Sequence, residues 1–418
     1  MNKIFEEAHI GPLTLRNRTI RSAAFESMCP GHEPSQQLYD YHTSVARGGI
    51  GMTTVAYAAV TESGLSFDRQ LVMRPEIVPG LRHLTDGIHA GGAAAGIQLG
   101  HCGNMSHRAI CGCTPVGASS GFNLYSPTVV RGLRADELPA IAKAFGRAVR
   151  LAHEAGFDSV EVHCGHGYLI DQFLNPFFNH RKDAYGGSLE NRMRFMDMCV
   201  TEALEAAAGT GMAVICKMNM RDGLKHGISL EEHSIPVARR LQELGVHGLV
   251  LSGGLVSATP MYVMRGELPL TTMTHYMDKW WLKYGIRMGQ PIVKHVLTKP
   301  VPYREAFFLE DALKFRAALP DMTLIYVGGL VAGDKINEVL SHGFEAVQMA
   351  RSVLREPDFV NKLKADPHYR SQCRHSNYCI GRMYTLDMKC HQCMNGEALP
   401  KSILKEIERI EREQAANL

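Results

Sequence analysis

Two imidazoles and a phenol fall within six residues of one another in the run His163-Cys164-Gly165-His166-Gly167-Tyr168. A pair of imidazoles can hold a negatively polarised oxygen, and a phenol can give up a proton. The competing reading of a His-x-x-His pair is a metal site or a capped loop, and no third ligand stands at a convincing spacing. Gln98, in Ile97-Gln98-Leu99-Gly100-His101, offers a carboxamide that matches both donor and acceptor edges of a heterocycle, or serves as a satisfied core residue. Lys217 interrupts the apolar run Ala213–Met218. A lysine on an inner strand is rarely buried without a negative partner, which favours a functional role over a snorkelling surface lysine. Gly328-Gly329 and Ala350-Arg351 suit a phosphate held by backbone amides and a guanidinium, although glycine in such turns is more often steric.

The eleven cysteines form two populations. Seven lie between Cys29 and Cys216, singly or as Cys111-Gly112-Cys113, and read as buried free thiols. Cys373, Cys379, Cys390 and Cys393 crowd near the C-terminus, where a reducing compartment favours a metal over disulfides.

Elements that could position these groups recur along the chain. Helical stretches ending in glycine (Arg47-Gly48-Gly49, Ala90-Gly91-Gly92, Ala155-Gly156, Leu244-Gly245, His342-Gly343) each lead into an apolar strand candidate. With Thr19–Ala23, Ala213–Met218 and Thr323–Val327 added, there are eight strand candidates: the others are Ile50–Ala56, Ala94–Leu99, Phe157–Val162, His247–Leu251 and Glu345–Met349. Alternation of this kind predicts an α/β fold, a (β/α)8 TIM barrel with a cysteine-rich C-terminal extension. An open doubly wound sheet predicts a G-x-G-x-x-G turn after an early strand, and none occurs. We expect the barrel over residues 1–365, with insertions at about 103–134 and 255–300, and the extension over 366–418. The chain has 418 residues, 45% apolar and 21% charged, with a formal net charge of +3 and no basic block to grip nucleic acid. With neither a membrane-length apolar run nor a signal-peptide pattern, a cytoplasmic enzyme acting on a small molecule is the expectation.

The segment from His163 to Leu169, followed by Gln172-Phe173-Leu174-Asn175-Pro176, Asn179, Arg181, Asp183, Tyr185-Gly186-Gly187-Ser188-Leu189-Glu190-Asn191-Arg192 and Arg194-Phe195, closely resembles the Old Yellow Enzyme family. Ile10-Gly11, Leu13-Thr14-Leu15, Asn17-Arg18, Ala46-Arg47-Gly48-Gly49, Ser252-Gly253-Gly254 and Val327-Gly328-Gly329 extend the resemblance over roughly residues 3–365. The resemblance implies an FMN-dependent ene-reductase on a TIM barrel, with NAD(P)H as reductant. It places Ser22, Ala23, Ala24 and Tyr57 against the isoalloxazine, Gln98 on its pyrimidine edge and Lys217 beside N1 and the C2 carbonyl. Gly328, Gly329, Ala350 and Arg351 then hold the ribityl phosphate. His163 and His166 hold the substrate carbonyl oxygen, and Tyr168 protonates the α-carbon. Relatives often form dimers or tetramers, so a homo-oligomer is also implied.

The branch of the family near 2,4-dienoyl-CoA reductase and trimethylamine dehydrogenase adds a Cys-x-x-Cys-Asn-x-x-Cys segment and a fourth cysteine, which hold a [4Fe–4S] cluster. Here Ser376 stands at the second cysteine position before Asn377, and Cys379 arrives one residue early. Three readings stay open for Cys373, Cys379, Cys390 and Cys393: a cluster with rearranged ligands, a zinc site, or a segment that has lost its metal. Two rival functions also stay open. One is oxidation of a C–N bond, with Tyr57, Trp280 and Trp281 lining a cationic substrate. The other is a non-catalytic electron-carrier flavoprotein.

Overall fold

The computed structural model describes residues 2–124, 127–277, 280–290, 293–294, 298–394 and 396–416. Eight parallel strands close into a barrel: β1 (Thr19–Arg21), β2 (Met52–Ala59), β3 (Ala94–Gly100), β4 (Ser159–Cys164), β5 (Ala213–Asn219), β6 (Gly248–Ser252), β7 (Leu324–Val327) and β8 (Ala346–Met349). β8 closes on β1 through the register Val347↔Thr19 to Met349↔Arg21. All eight fall where the apolar runs predict strands. β2, β4 and β5 are buried at every position, as expected of strands packed between a barrel interior and a helical shell.

The shell is formed by α1 (Gln36–Arg47), α2 (Val78–Ala90), α3 (Leu138–Glu154), α4 (Leu189–Ala207), α5 (Ile235–Leu244), α6 (Leu309–Ala318), α7 (Gly333–Ser341) and α8 (Phe359–Ala365). Ser35 and Ser188 cap α1 and α4 by accepting from the amides of Leu38 and Asn191. α5 ends on Gly245 in the left-handed conformation, the cap expected from the Leu244-Gly245 pair.

A short N-terminal hairpin, Ala8–Ile10 paired with Leu13–Leu15, plugs the N-terminal end of the barrel. Ala8, Ile10 and Leu15 pack there against Ile20, Ala213, Ile215, Val250 and Ile325. That leaves the opposite, C-terminal mouth for chemistry. Both insertions carry secondary structure. Residues 103–134 include a small sheet of Val116–Gly117, Gly121–Asn123 and Thr128–Gly132. Residues 255–300 include short helices Pro260–Met264, Leu270–His275 and Trp280–Met288.

The C-terminal helix α9 (Lys401–Ala415) is stitched to the second insertion. The Glu406 carboxylate accepts from the amides of Thr271 and Thr272, both at 2.8 Å, and Glu267 pairs with Arg409 at 2.6 Å. No helix among the described residues is long and apolar enough to cross a membrane.

Candidate functional site

β4 delivers the central groups. Side chains alternate along a strand, so Glu161 and His163 share one face, and parallel pairing sets Lys217 beside His163 and Gln98 beside Glu161. The Glu161 carboxylate accepts from the Lys217 ammonium at 2.8 Å, from Gln98 at 2.6 Å and from Gln348 at 2.8 Å. Lys217 and Glu161 are only 2% and 1% exposed, so the buried cation has the negative partner that its strand position demands. Ser22, just past β1, donates to Gln348 at 3.0 Å and lies 3.5 Å from the Lys217 Nζ.

Past β4 the chain turns sharply. His166 takes φ 60° and Gly167 φ 81°, a left-handed pair that swings the imidazole and Tyr168 over the mouth. The turn is held from below. Asp171 accepts from the Gly167 amide at 2.7 Å and from Asn219 at 3.2 Å, and Asn219 accepts from the His166 amide at 3.0 Å. The rings of His163 and His166 sit 5.0 Å apart at 83°, and those of His163 and Tyr168 4.5 Å apart. Tyr57 lies 5.1 Å from the Tyr168 ring, with its hydroxyl 2.8 Å from Ser66. Tyr57 belongs to β2 itself rather than to the loop after it. A register shift between Val55 and Ala58 bulges the strand and re-aims the ring.

Burial sets the protonation states. Desolvation by burial, with the His166 imidazole and the Lys217 ammonium close by, holds the His163 imidazole well below its ordinary value. His166 is pushed down to about 3 by the same burial and by Lys217. Both are therefore neutral near pH 7. The His163 Nδ1 accepts from the Gly165 amide at 3.4 Å, which leaves the proton on Nε2. The His166 Nε2 meets the Ser252 hydroxyl at 2.7 Å. Burial also raises the Tyr168 phenol, which stays protonated.

The donor set fits a flavin mononucleotide. Gln98 would supply a carboxamide for the heterocycle edge, Lys217 an ammonium for its electron-rich side, and Ser22 a hydroxyl beside that ammonium. Gly328 and Gly329 follow β7 with φ of 152° and 73°, a backbone that only glycine adopts at ease. Ala350 precedes Arg351 at the end of β8. The Arg351 guanidinium is fixed by Asn377 at 2.7 Å, so the C-terminal extension reaches the expected phosphate arginine. Ala23 and Ala24 are half-buried beside these groups, each packed on a different apolar cluster.

Other expectations are not brought together. Trp280 is 71% exposed, and the Trp281 side chain lies outside the described residues. Cys373, Cys379 and Cys390 line one small cavity with His375, Ser376 and His391, but Cys393 turns to Arg355, its sulfur 3.5 Å from the guanidinium. Ser376 meets His391 at 3.3 Å rather than supplying a thiolate. Among the described residues no three Cys, His, Asp or Glu side chains are arranged to hold a metal ion. This donor set does not fit a [4Fe–4S] cluster, which wants four thiolates.

Residues 3–275 match the family model described as the NADH:flavin oxidoreductase / NADH oxidase family. The chain is 40% identical over 383 residues to the 4,4'-dithiodibutanoate disulfide reductase of Rhodococcus erythropolis, covering 91% of this chain and 93% of that one. It is 34% identical over 268 residues to the NADPH dehydrogenase of Listeria welshimeri, covering 62% of this chain and 76% of the relative. An Old Yellow Enzyme homologue from Zymomonas mobilis superposes with a TM-score of 0.70 at 20% identity, covering 95% of this chain and 99% of that one, a likeness of fold. The chain belongs to the NADH:flavin oxidoreductase family, the Old Yellow Enzyme family. It is a flavin-dependent NAD(P)H oxidoreductase.

Proposed function

We propose that this chain binds FMN at the barrel mouth and reduces the activated C=C bond of an α,β-unsaturated carbonyl compound. The observation that carries the reading is the buried His163 and half-buried His166 imidazoles, both neutral, beside a protonated phenol, a set built for a polarised oxygen and a single proton delivery. Gln98, Lys217, Ser22, Ala23, Ala24 and Tyr57 hold the ring system, and Gly328, Gly329, Ala350 and Arg351 hold the phosphate. When bound there, FMN would supply hydride, drawn from NAD(P)H, for the substrate β-carbon.

His163 and His166 donate hydrogen bonds to the substrate carbonyl oxygen, and negative charge builds on that oxygen as the β-carbon accepts hydride. Because both imidazoles are neutral, they stabilise the oxygen as hydrogen-bond donors and keep their protons. Tyr168 then delivers its proton to the α-carbon, which is basic enough to take it from a phenol. Glu161 fixes Lys217 and Gln98 in place, and Asp171 fixes the turn that carries His166 and Tyr168.

A second reading has its own support. The relative at 40% identity is named for reducing an organic disulfide, so such a disulfide is an alternative acceptor for the same reduced flavin. Steady-state assays with NAD(P)H as donor to 2-cyclohexenone or 4,4'-dithiodibutanoate, and with a methylated amine as donor to an artificial electron acceptor, discriminate the readings. Turnover on the enone supports the first proposal. Turnover on the disulfide alone replaces it with the second, and oxidation of the amine alone defeats both.

A further inference from the structure

Cys111-Gly112-Cys113 lies outside the barrel-mouth machinery, in the insertion that follows β3. A four-residue helical turn, Arg108–Cys111, ends there on Gly112. Gly112 takes φ 68°, and its amide donates to the Arg108 carbonyl at 3.0 Å. No heavy atom lies within 4 Å of where a Gly112 side chain would begin, so glycine serves the left-handed turn rather than close packing. That turn folds the two flanking thiols together, with Cys113 Sγ 3.7 Å from Cys111 Sγ. Cys113 is exposed, whereas Cys111 is 8% exposed beneath it. An accessible sulfur thus sits directly over a sheltered one, in van der Waals contact.

We propose that Cys111 and Cys113 form a dithiol site that exchanges with small organic disulfides. The exposed Cys113 thiolate attacks one sulfur of a disulfide RS–SR. The S–S bond of the reagent breaks, the first RS⁻ leaves and takes up the Cys113 proton, and Cys113 carries a mixed disulfide. Cys111 then gives up its proton and attacks the Cys113 sulfur. The second RS⁻ leaves with that proton, and a Cys111–Cys113 disulfide remains. The loop loses two electrons and two protons, and the reagent gains both to become two thiols. Partial burial and the adjoining Cys111 thiol raise Cys113 above the ordinary thiol value, while Arg131 and Arg108 pull it down. Exchange therefore accelerates as pH rises and thiolate accumulates. This site stands apart from the reaction assigned to the barrel mouth and does not depend on it.

Bis(2-hydroxyethyl) disulfide is the probe. The full-length protein, loaded with FMN, is treated with it, quenched in acid, alkylated and mapped by peptide mass. In the wild type the result expected is release of two thiol molecules per chain and a 111–113 peptide that resists alkylation without an adduct. Cys111→Ser stops at a stable adduct on Cys113 with one thiol released, and Cys113→Ser or Cys113→Ala leaves the peptide without adduct or disulfide. Bleaching of the flavin by NAD(P)H is unchanged in all three variants, which also shows that they fold. A persistent adduct on Cys113 in the wild type overturns the proposal. So does oxidation among Cys373, Cys379, Cys390 and Cys393 while Cys111 and Cys113 stay reduced.

Discussion

Glu161 bears more of the site than any other single side chain, because three donors from three strands converge on its carboxylate. Lys217 is thereby one half of a buried ion pair, and in the proposed complex the pair with its hydrogen bonds would form the floor under a flavin edge. Removing one partner strands the other charge away from water, which costs more than losing both. Glu161→Gln is expected to destabilise the protein by about 3–5 kcal/mol in urea unfolding. Adding Lys217→Met should restore much of that loss, and a double variant less stable than the single one contradicts the account. The imidazoles carry a pH signature with a definite sign. His166 falls from an unfolded value of 6.5 to about 3, so its contribution to stability is complete above 6.5 and is lost as pH falls toward 3.

At the scale of elements, the turn from β4 into the following helix is strained at His166 and is held by Asp171 and Asn219. Burial pushes the Asp171 carboxyl up to about 8, with the Asp222 charge adding to it and the Gly167 hydrogen bond opposing. A raised carboxyl stabilises the fold below its unfolded value and loses that contribution as pH rises through about 8. His233 and Cys164 share the same cavity, and His233 lies below its ordinary range through burial, so it does not titrate at that pH. Turnover is therefore expected to decline above about pH 8, and Asp171→Asn, which still accepts from Gly167, should remove that alkaline limb. An identical limb in the variant contradicts the assignment.

The strands themselves were readable because a parallel barrel strand is an apolar run with a glycine-capped helix before it. Nothing in the residues around Glu161 marks it as the hub of the site, although its two-residue offset from His163 puts both on one face. The bulge that places Tyr57 inside β2 leaves no local mark, because it depends on pairing with β3. The N-terminal hairpin is not legible in the sequence either, since its strands are three residues each, too short for periodicity to register.

At the scale of the molecule, the extension is structurally part of the barrel mouth. Asn377, in the left-handed conformation at φ 55°, bonds Arg351 with its carbonyl oxygen and the carbonyls of Arg265 and Glu267 with its amide. One side chain thus ties the expected phosphate arginine to the second insertion. Residue spacing showed an unusual cysteine segment there, but contacts across more than a hundred positions are invisible without the fold. Asn377→Gly keeps the backbone conformation and deletes these bonds, and should weaken FMN retention about tenfold, the worth of ~1.4 kcal/mol of hydrogen bonding. Unchanged retention by fluorescence titration contradicts this link. Protein purified without oxygen should contain no stoichiometric iron, and four iron atoms per chain contradict the reading of the cysteine segment.

The central claim is that Tyr168 supplies the proton in the second half of the reaction, and anaerobic stopped flow tests it most directly. The yellow protein should bleach with NAD(P)H at the same rate in wild type and Tyr168→Phe. Return of the colour with 2-cyclohexenone should then slow by about 10²–10⁴-fold in the variant alone. Equal rates of recolouring, or a colourless protein that takes up no FMN, contradict the account.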